Sequence, residues 1–342
     1  MAKKLIDLVA ERMGAELSEE KLIAALKKEN LTVADIALQF DVPIQLVYNT
    51  IKNLKEKKVL LEEAGGEYWV KEFPTQGARI MLNPKMWQGD ILRFGFISDN
   101  HLGSHFERLD VLNLCYDIFE SEGIPVVLHG GNFIEGEARF NKNEIHKHGF
   151  GRQIAYAVQE YPYRKGIETW MITGDDHEGW YNQREGINSG EIFQMYREQV
   201  GMKDIKHLGY VEADIELNGG KFENESWCRV MHPGGGSAYA VSYAPQKIIE
   251  SLQPGEKPSV LFLGHYHKMS YDIIRGVHTI QMGCTADQSI YMRKKKIEAH
   301  VGGGIAEFRR APDGIINRCR VEFITVFDKG FYIGKDKYWK GL

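Results

Sequence analysis

The sequence of 342 residues predicts an α/β fold preceded by a smaller, mainly helical domain. After residue 90, apolar runs of strand length alternate with helical patterns such as residues 108–123 and 184–200. Residues 18–58 have helical spacing, and residues 73–89 contain two prolines and two glycines. We therefore expect a first domain over residues 1–73, a linker over 74–90 and a larger domain over 91–342.

The composition is that of an ordinary globular protein, with 43% apolar and 26% charged residues. The four cysteines form no C-x-x-C pair, which argues against a disulfide framework or a zinc knuckle. No apolar stretch has the length of a membrane helix and none near the start resembles a signal peptide, so we expect a cytoplasmic protein. The net charge of -4 argues against a broadly basic surface but allows local basic patches.

The first domain has the spacing of three helices and a hairpin. The helical stretches are residues 18–30, 32–42 and 43–58. Thr32 is in the position of a helix cap and Pro43 in a first turn. Two short apolar runs around Gly65 and Gly66 predict a β-hairpin. This order of elements resembles a winged helix-turn-helix domain.

The resemblance to a winged helix implies a nucleic-acid partner, DNA rather than RNA. The side chains that the last of these helices would present to it are Gln45, Tyr48, Asn49, Lys52 and Lys55. The alternative is a protein-contact module, with a homodimer as one expected assembly, because residues 1–73 hold thirteen acidic and eleven basic residues.

Five predicted strands of the larger domain end in side chains that can bind metals. These are Asp99 and His101; Asn132; Asp176, His177 and Glu178; His232; and His265 and His267. Ligands bind at the carboxyl ends of strands in open α/β sheets, where the loops leave a crevice. Residues two apart in an extended segment project to the same side. A mixture of imidazoles and carboxylates at one such edge predicts a metal site.

The order of these motifs resembles the calcineurin-like metallophosphoesterase superfamily over residues 91–285. The motifs are DNH (99–101), GNFIE (131–135), GDDHE (174–178), the lone His232 and GHYH (264–267). The resemblance implies two mixed β-sheets stacked face to face with helices outside and two divalent metals at the rim. Within the superfamily, DNHLG is similar to the first motif of the DNA double-strand-break repair nucleases.

The resemblance also implies a role for each matching residue. The two trios of metal ligands would be Asp99, His101 and His267, and Asp176, His232 and His265. Asn132 would be at the bridging position, and His177 would face the phosphate as a general acid or transition-state stabiliser. Mn is the expected metal, with Fe, Zn or Mg as alternatives.

Two positions depart from the pattern of the superfamily. The bridging residue is normally Asp, and Asn132 offers one neutral oxygen, which bridges two cations poorly. One hypothesis is that Asn132 is an inactivating replacement of an Asp; the alternative is a naturally weakened or single-metal site. Asp176 stands where Asn is usual, and a carboxylate there binds a hard metal at least as well.

Two basic segments favour a polynucleotide substrate. The loop after the last ligand holds Arg293, Lys294, Lys295 and Lys296 beside Tyr291. Cations near an aromatic ring suit a nucleic-acid backbone with base stacking, although a solvated surface gives the same pattern. Residues 136–153, also rich in cations and imidazoles, either close over a substrate strand or form a polar excursion.

These observations lead to one main hypothesis and two alternatives. The main hypothesis is a metal-dependent DNA nuclease, exo- or endonucleolytic, that uses a dinuclear centre and an activated water. The first alternative is a phosphodiesterase or phosphatase for small nucleotides. The second is a DNA-binding protein whose metal site has decayed at Asn132. We expect residues 286–342 to form mostly strands, which leaves little room for the capping domain of the repair nucleases.

Overall fold

The computed structural model describes residues 17–26, 30–56, 61–70, 79–218, 224–236, 240–253 and 255–326. The chain divides into two compact units, Met1–Thr75 and Gln76–Leu342. No helix in the described ranges is both long enough and apolar enough to cross a membrane.

The first unit combines helices with a three-stranded antiparallel sheet. Its elements are α1 (Glu19–Leu26), β1 (Leu31–Thr32), α2 (Val33–Gln39), α3 (Ile44–Glu56), β2 (Leu61–Ala64) and β3 (Glu67–Val70). β3 lies between β1 and β2. The helices and the hairpin therefore lie where the sequence predicts them.

Local sequence explains how α2 and α3 form. The Thr32 hydroxyl accepts a hydrogen bond from the Asp35 N–H (3.1 Å), and the Asp35 carboxylate accepts one from the Thr32 N–H (3.0 Å), which is a capping box. On α3, Val47, Ile51 and Leu54 are buried in the core of the unit. The opposite face of α3 is exposed and carries the five residues predicted to contact nucleic acid, Gln45, Tyr48, Asn49, Lys52 and Lys55.

The second unit contains two six-stranded mixed sheets. The first sheet, in spatial order, is β12 (Met269–Ile274), β13 (Val277–Met282), β11 (Val260–Leu263), β10 (Trp227–Met231), β9 (Glu212–Glu216) and β4 (Ile80–Met81). The second is β15 (Ile316–Thr325), β14 (Gly302–Arg310), β5 (Ile91–Ile97), β6 (Val126–His129), β7 (Glu168–Thr173) and β8 (Ile205–Tyr210). The predicted α/β fold class of two stacked mixed sheets with flanking helices is confirmed.

A continuous apolar core lies between the two sheets. Phe94 and Phe96, which alternate along β5, belong to one buried cluster with Phe262 of β11. The rings of Phe96 and Phe262 are 6.0 Å apart between centroids. This period-two alternation is what packs one sheet face on another.

Helices cover the outer faces of both sheets. The helices are α4 (Leu109–Ser121), α5 (Phe150–Glu160), α6 (Gly179–Glu185), α7 (Ser189–Gln199), α8 (Tyr243–Ser251) and α9 (Ile290–Lys295). Apolar residues of α4, α5 and α7 share a second core with the outer face of the second sheet, and Ile249 of α8 packs on the first sheet. Both faces of each sheet are therefore buried, which fixes the sheet edge where the predicted ligands lie.

One buried ion pair connects α7 to the start of β8. The Arg197 side chain is 1% exposed, and its guanidinium donates hydrogen bonds to both carboxylate oxygens of Asp204. The same guanidinium donates to the backbone carbonyls of Val158 (2.9 Å) and Tyr161 (3.3 Å). All of its charge is thus compensated by fixed acceptors.

Two segments differ in detail from the sequence expectations. Part of the expected linker packs within the second unit: β4 pairs with β9, and the buried Trp87 donates a hydrogen bond to the Leu217 carbonyl (2.8 Å). Residues 290–295, expected as strand, form α9 because Ser289 caps it and three cations occupy its last turn.

Candidate metal centre

The strand topology brings the predicted metal ligands to one place. β5, β6 and β7 are parallel neighbours in one sheet, and β10 and β11 are parallel neighbours in the other. Each of these five strands ends within three residues of a predicted ligand. Two trios form, and within each trio the ligand atoms lie within 4.8 Å of one another: Asp99, His101 and His267, and Asp176, His232 and His265.

The first trio consists of three donor atoms that face one another. Nε2 of His101 is 3.1 Å from Nε2 of His267. Oδ1 of Asp99 is 3.3 Å from Nε2 of His267 and 3.8 Å from Nε2 of His101. The other oxygen of Asp99 accepts hydrogen bonds from the Ser98 hydroxyl and from the His265 N–H, so Oδ1 is the oxygen that faces the two imidazoles.

The second trio is arranged around Asp176. Its Oδ1 is 3.2 Å from Nε2 of His232, and its Oδ2 is 3.5 Å from Nδ1 of His265. His232 is fully buried, whereas Asp176 and His265 are partly exposed. This trio therefore lies at the open edge of the site.

Carbonyl acceptors orient two of the four imidazoles, and a carboxylate lies close to a third. Nδ1 of His232 donates to the Gly130 carbonyl (2.6 Å), and Nε2 of His265 donates to the Gly235 carbonyl (2.7 Å). Nδ1 of His101 lies 3.0 Å from a Glu135 carboxylate oxygen. In each ring the opposite nitrogen is left with a lone pair toward its trio, which is the arrangement that metal-binding histidines require.

Asn132 lies between the trios with its amide oriented. Its Nδ2 donates to Oδ1 of Asp99 (3.3 Å). Its Oδ1 is buried and has no hydrogen-bond partner among the described residues. A Cβ atom on Gly174 would lie 2.7 Å from this oxygen and 2.9 Å from Nε2 of His232, so only glycine fits beside them. Asn132 Oδ1 is thus an unsatisfied buried acceptor next to the second trio.

The donor sets fit divalent metal ions. Imidazole and carboxylate atoms in trios, together with an amide oxygen that lacks a donor, need positive charge to hold them this close. Burial disfavours charge on these groups, yet Asp176 and Asp99 raise the pKa of His232 to about 9. For Asp99, burial raises the pKa, but His267, His232 and His101 bring it well below the usual range. Burial likewise opposes charge on His267, but Cys284 and Asp99 raise its pKa, so without metal the protons on His232 and His267 supply that charge.

Backbone conformation marks the same residues. Ten residues other than glycine have positive φ in the described part of the chain, and six of them belong to the predicted site: Asp99, His101, Asn132, His177, His265 and His267. Their φ values lie between 49° and 73°. This left-handed conformation costs about 1 kcal/mol or more for residues with a Cβ, and it persists only where the surroundings impose it.

His177 faces the cavity beside the first trio. Its Nδ1 donates to the Glu135 carbonyl (2.7 Å), which leaves Nε2 free to face a substrate. Its ring is 4.3 Å from that of His101 and stacks on Trp180 at 4.8 Å. Burial lowers the pKa of His177, but the Glu135 and Asp176 carboxylates raise it more, so the net shift is upward.

Glu178 joins the loops after β6 and β7. One of its carboxylate oxygens accepts hydrogen bonds from the Asn132 N–H (2.7 Å) and the Gly174 N–H (2.9 Å). The other is buried and unpartnered among the described residues. Burial raises the pKa of Glu178 to about 7. This side chain positions the backbone of Asn132 and lies close enough to His232 to influence its charge.

A cavity of about 690 Å³ opens over both trios. Its walls include His101, Asn132, Asp176, His265 and His267 from the site. Tyr291 and Lys294 of the predicted basic run also line it, whereas Arg293, Lys295 and Lys296 do not. Arg293 instead lies 5.7 Å from the Phe106 ring. One cation of the run therefore reaches the cavity.

The sequence assigns no specific role to two residues of the site. Glu135 forms a third group of possible ligand atoms with His101 and His177, and Glu178 holds the loops together. Both are the last residue of a quoted motif, GNFIE or GDDHE, which was the available signal. Their contacts depend on how the loops pair, as in the 3.0 Å hydrogen bond from the His101 N–H to the Asn132 carbonyl.

Comparisons with known proteins find distant likenesses among solved structures. No family model and no curated protein matches the chain. Among solved structures, an archaeal phosphodiesterase is 14% identical over 68% of this chain and 100% of its own, with a TM-score of 0.36. GAP50, the anchor in the inner membrane complex of Plasmodium, is 12% identical over 69% and 85%, with a TM-score of 0.42. Vps29 of Entamoeba histolytica in complex with zinc is 12% identical over 68% and 99%, with a TM-score of 0.29. Likenesses at this level identify neither a family nor an activity for this chain.

Proposed function

We propose that this chain is a metal-dependent phosphodiesterase of the calcineurin-like metallophosphoesterase type and that it acts on DNA. The observation that carries the proposal is the convergence of two ligand trios from four strand ends on one cavity, with Asn132 supplied by a fifth. Asp99, His101 and His267 would hold one divalent ion, Mn²⁺ being the expected one. Asp176, His232 and His265 would hold a second, with Asn132 at the position between them.

Two such ions when bound would activate a water and neutralise charge on the attacking and leaving oxygens of an in-line displacement. Hydrogen bonds within the folded chain already orient the candidate ligands for this chemistry. The Gly130 and Gly235 carbonyls fix which nitrogens of His232 and His265 carry protons. The Ser98 hydroxyl donates a hydrogen bond to Oδ2 of Asp99, the oxygen that faces away from the trio. Because these contacts are made in the folded protein, little reorganisation accompanies metal binding.

His177 is the general acid of the proposed reaction. Its Nδ1–H is committed to the Glu135 carbonyl, so in the imidazolium form Nε2–H is the group that donates to a phosphate oxygen or to the leaving oxygen. Trp180 stacks on the ring and keeps its plane toward the cavity. Substitution of His177 by Asn would keep a donor near Nδ1 but remove the proton donor at Nε2.

Support for DNA as the substrate comes from two separate surfaces. In the second unit, Tyr291 and Lys294 line the cavity, which offers a ring and a cation to a nucleotide. In the first unit, Tyr48 and Lys52 lie on an exposed face of α3 in an order of elements that resembles a winged helix. Backbone charge and base stacking are the two attractions that a polynucleotide offers to such surfaces.

The test is hydrolysis by the protein and by its Asn132→Asp variant. End-labelled single- and double-stranded DNA and RNA would be incubated with Mn²⁺, Fe²⁺, Zn²⁺ or Mg²⁺ in separate reactions. We expect the variant to cleave DNA faster than a chromogenic phosphomonoester and the parent to be much slower. Absence of hydrolysis of every ester by the variant, with metal bound, would overturn the proposal.

The size of the cavity favours one alternative, a phosphodiesterase for small nucleotides. A volume of about 690 Å³ is within the range of small-molecule sites. That enzyme would cleave a dinucleotide or a cyclic nucleotide as fast as it cleaves a polymer. A comparison of kcat/KM for a dinucleotide and a longer strand separates the two activities.

A further inference from the structure

A second cavity lies beside the one over the trios. It has a volume of about 450 Å³ and lies between residues 137–150 and α6. Three cationic side chains line it, together with one tyrosine and two carboxylates: Arg139, Lys142, Arg184, Tyr181, Glu137 and Glu185. We call it the Arg139 pocket.

The two cavities share a wall made of two aromatic residues. Phe140 and Trp180 line the cavity over the trios, and their chain neighbours Arg139 and Tyr181 line the Arg139 pocket. Consecutive Cα atoms are about 3.8 Å apart, so the two cavities are adjacent at both places. The rings of Phe140 and Trp180 meet edge to face at 5.4 Å. A nucleic-acid strand that runs from the candidate metal centre over this wall would reach the Arg139 pocket next.

Two of the three cations of the pocket are available to an anion, whereas Lys142 lies 3.9 Å from a Glu137 oxygen. Arg139 is exposed and makes no hydrogen bond or ion pair with any described residue. Arg184 donates through Nε to the Trp180 carbonyl (3.1 Å) and lies 5.4 Å from the Tyr181 ring, with no carboxylate at ion-pair distance among the described side chains. Glu137 is already engaged by the Gly149 N–H (2.7 Å). Two guanidinium groups thus face the pocket with unused donors.

A buried hydroxyl also faces this pocket. Tyr181 is 4% exposed, and its hydroxyl has no hydrogen-bond partner among the described residues. Burial raises the pKa of this hydroxyl to about 12, and Glu137 and Arg184 are close enough to influence it. An unpartnered buried hydroxyl costs free energy. An anionic oxygen in the pocket would accept its proton in a hydrogen bond.

The shared wall presents an aromatic face to solvent. Phe140 is 70% exposed, which is unusual for a large apolar side chain in an otherwise polar segment. An exposed ring between a candidate phosphodiesterase centre and a cationic pocket has the geometry of a base-stacking platform.

We propose that Phe140 and the Arg139 pocket form a subsite for single-stranded polynucleotide. The base of the nucleotide adjacent to the cleaved bond stacks on Phe140. Its far phosphate binds Arg139, Arg184 and the Tyr181 hydroxyl. This inference rests on the proposed function and deepens it, because a subsite beyond the reacting phosphate makes the substrate a polymer rather than a single nucleotide.

The test measures binding, which does not depend on turnover. Fluorescence anisotropy of a labelled short oligothymidylate would be recorded with the full chain, Asn132 retained and Mn²⁺ present. Lys52→Ala and Lys55→Ala would be placed in every variant so that the first unit contributes little. We expect Phe140→Ala to weaken binding about 5- to 150-fold, as for the loss of one stacked base.

Three further variants test the charged part of the subsite. Arg139→Ala with Arg184→Ala should lower the slope of log K against log salt by about 0.7 for each phosphate that the protein no longer neutralises. Tyr181→Phe keeps the ring and should weaken binding several-fold. Arg152→Ala is the matched control, because Arg152 is an exposed cation of α5 that lines neither cavity; it should leave affinity unchanged.

Unchanged affinity in Phe140→Ala and in the double arginine variant would overturn the subsite, as would an equal loss in Arg152→Ala or equal binding of a duplex. Failure of the proposed function gives a different result. It would appear as no hydrolysis of bis(p-nitrophenyl) phosphate by Asn132→Asp while oligonucleotide binding still depended on Phe140. Hydrolysis by Asn132→Asp without any such dependence would remove the subsite alone.

Discussion

Nδ1 of His101 lies 3.0 Å from Oε2 of Glu135. The other oxygen of this carboxylate accepts a hydrogen bond from Asn141 (3.0 Å), so the glutamate is held in place and in turn fixes the imidazole. The contact makes Nε2 of His101 the nitrogen that faces Asp99 and His267. Glu135 is therefore a positioning residue for the first trio.

Glu135→Gln should weaken Mn²⁺ binding by about 10- to 100-fold, because the neutral amide no longer supports the basicity and orientation of His101. Titration calorimetry of the Asn132→Asp protein with and without the change measures this. Glu144→Gln is the control, since Glu144 lines the same cavity but belongs to none of the candidate ligand groups among the described residues. Equal affinity for Glu135→Gln and its parent would contradict the positioning role.

Asn132→Asp should have opposite effects with and without metal. In EDTA it replaces the Nδ2–H donor to Asp99 with a second carboxylate at a buried position, so the free energy of unfolding should fall by about 1–3 kcal/mol. With Mn²⁺ at about 100 times its Kd, binding should add about 2.7 kcal/mol. Thermal unfolding in both buffers tests this, and a metal-induced rise in Tm no larger than that of the parent would count against a bridging position.

Glu178→Gln should remove a pH dependence of stability. Because the folded pKa of Glu178, about 7, exceeds the ordinary glutamate pKa of 4.5, the folded state binds more protons between these values. The contribution of Glu178 to the free energy of unfolding is therefore fully present below about pH 4.5 and is lost as the pH rises through about 7. The parent should therefore lose about 3 kcal/mol relative to the variant between about pH 4.5 and 8. Denaturant unfolding in EDTA at several pH values measures the difference, and parallel curves would refute it.

Arg197→Ala should strongly destabilise the second unit. The change leaves the buried Asp204 carboxylate unpaired, which costs about 3–5 kcal/mol. Arg275→Ala provides the comparison, because the Arg275–Glu250 pair is exposed and its loss should cost less than about 1 kcal/mol. Urea unfolding of both variants is the measurement, and similar midpoints would contradict the account.

Lys52→Ala should weaken duplex DNA binding by the first unit and lower the salt slope by about 0.9, the value for one phosphate contact. Lys52 lies on the exposed face of α3. Lys85→Ala, at an exposed position of the second unit, serves for comparison. If the slope is the same in both variants, α3 is not the DNA-reading helix.

The sequence predicted which strand ends meet at one edge because its signals were local. Each strand end carries its ligands within a few residues, so Asp99, His232 and His265 could be placed by the position of a strand alone. Thr32 and Gly65 likewise act within their own turns. Parallel pairing of β5, β6 and β7 then brought distant segments together.

Other features depend on contacts that spacing does not encode. The role of Glu135 follows from pairing between the loops after β5 and β6, and that of Phe140 from an edge-to-face contact with Trp180. The helix over 290–295 did have a local signal in Ser289 and its basic last turn, but the expectation of strand outweighed it. Tertiary pairing decides such cases rather than propensity.

The left-handed backbone at six site residues has an energetic consequence. Glycine adopts such φ values without penalty, so replacement of His101, His265 or His267 by glycine would relieve strain while it deletes a ligand. Backbone strain alone therefore does not favour histidine at these positions, so a contribution of the imidazoles must offset it.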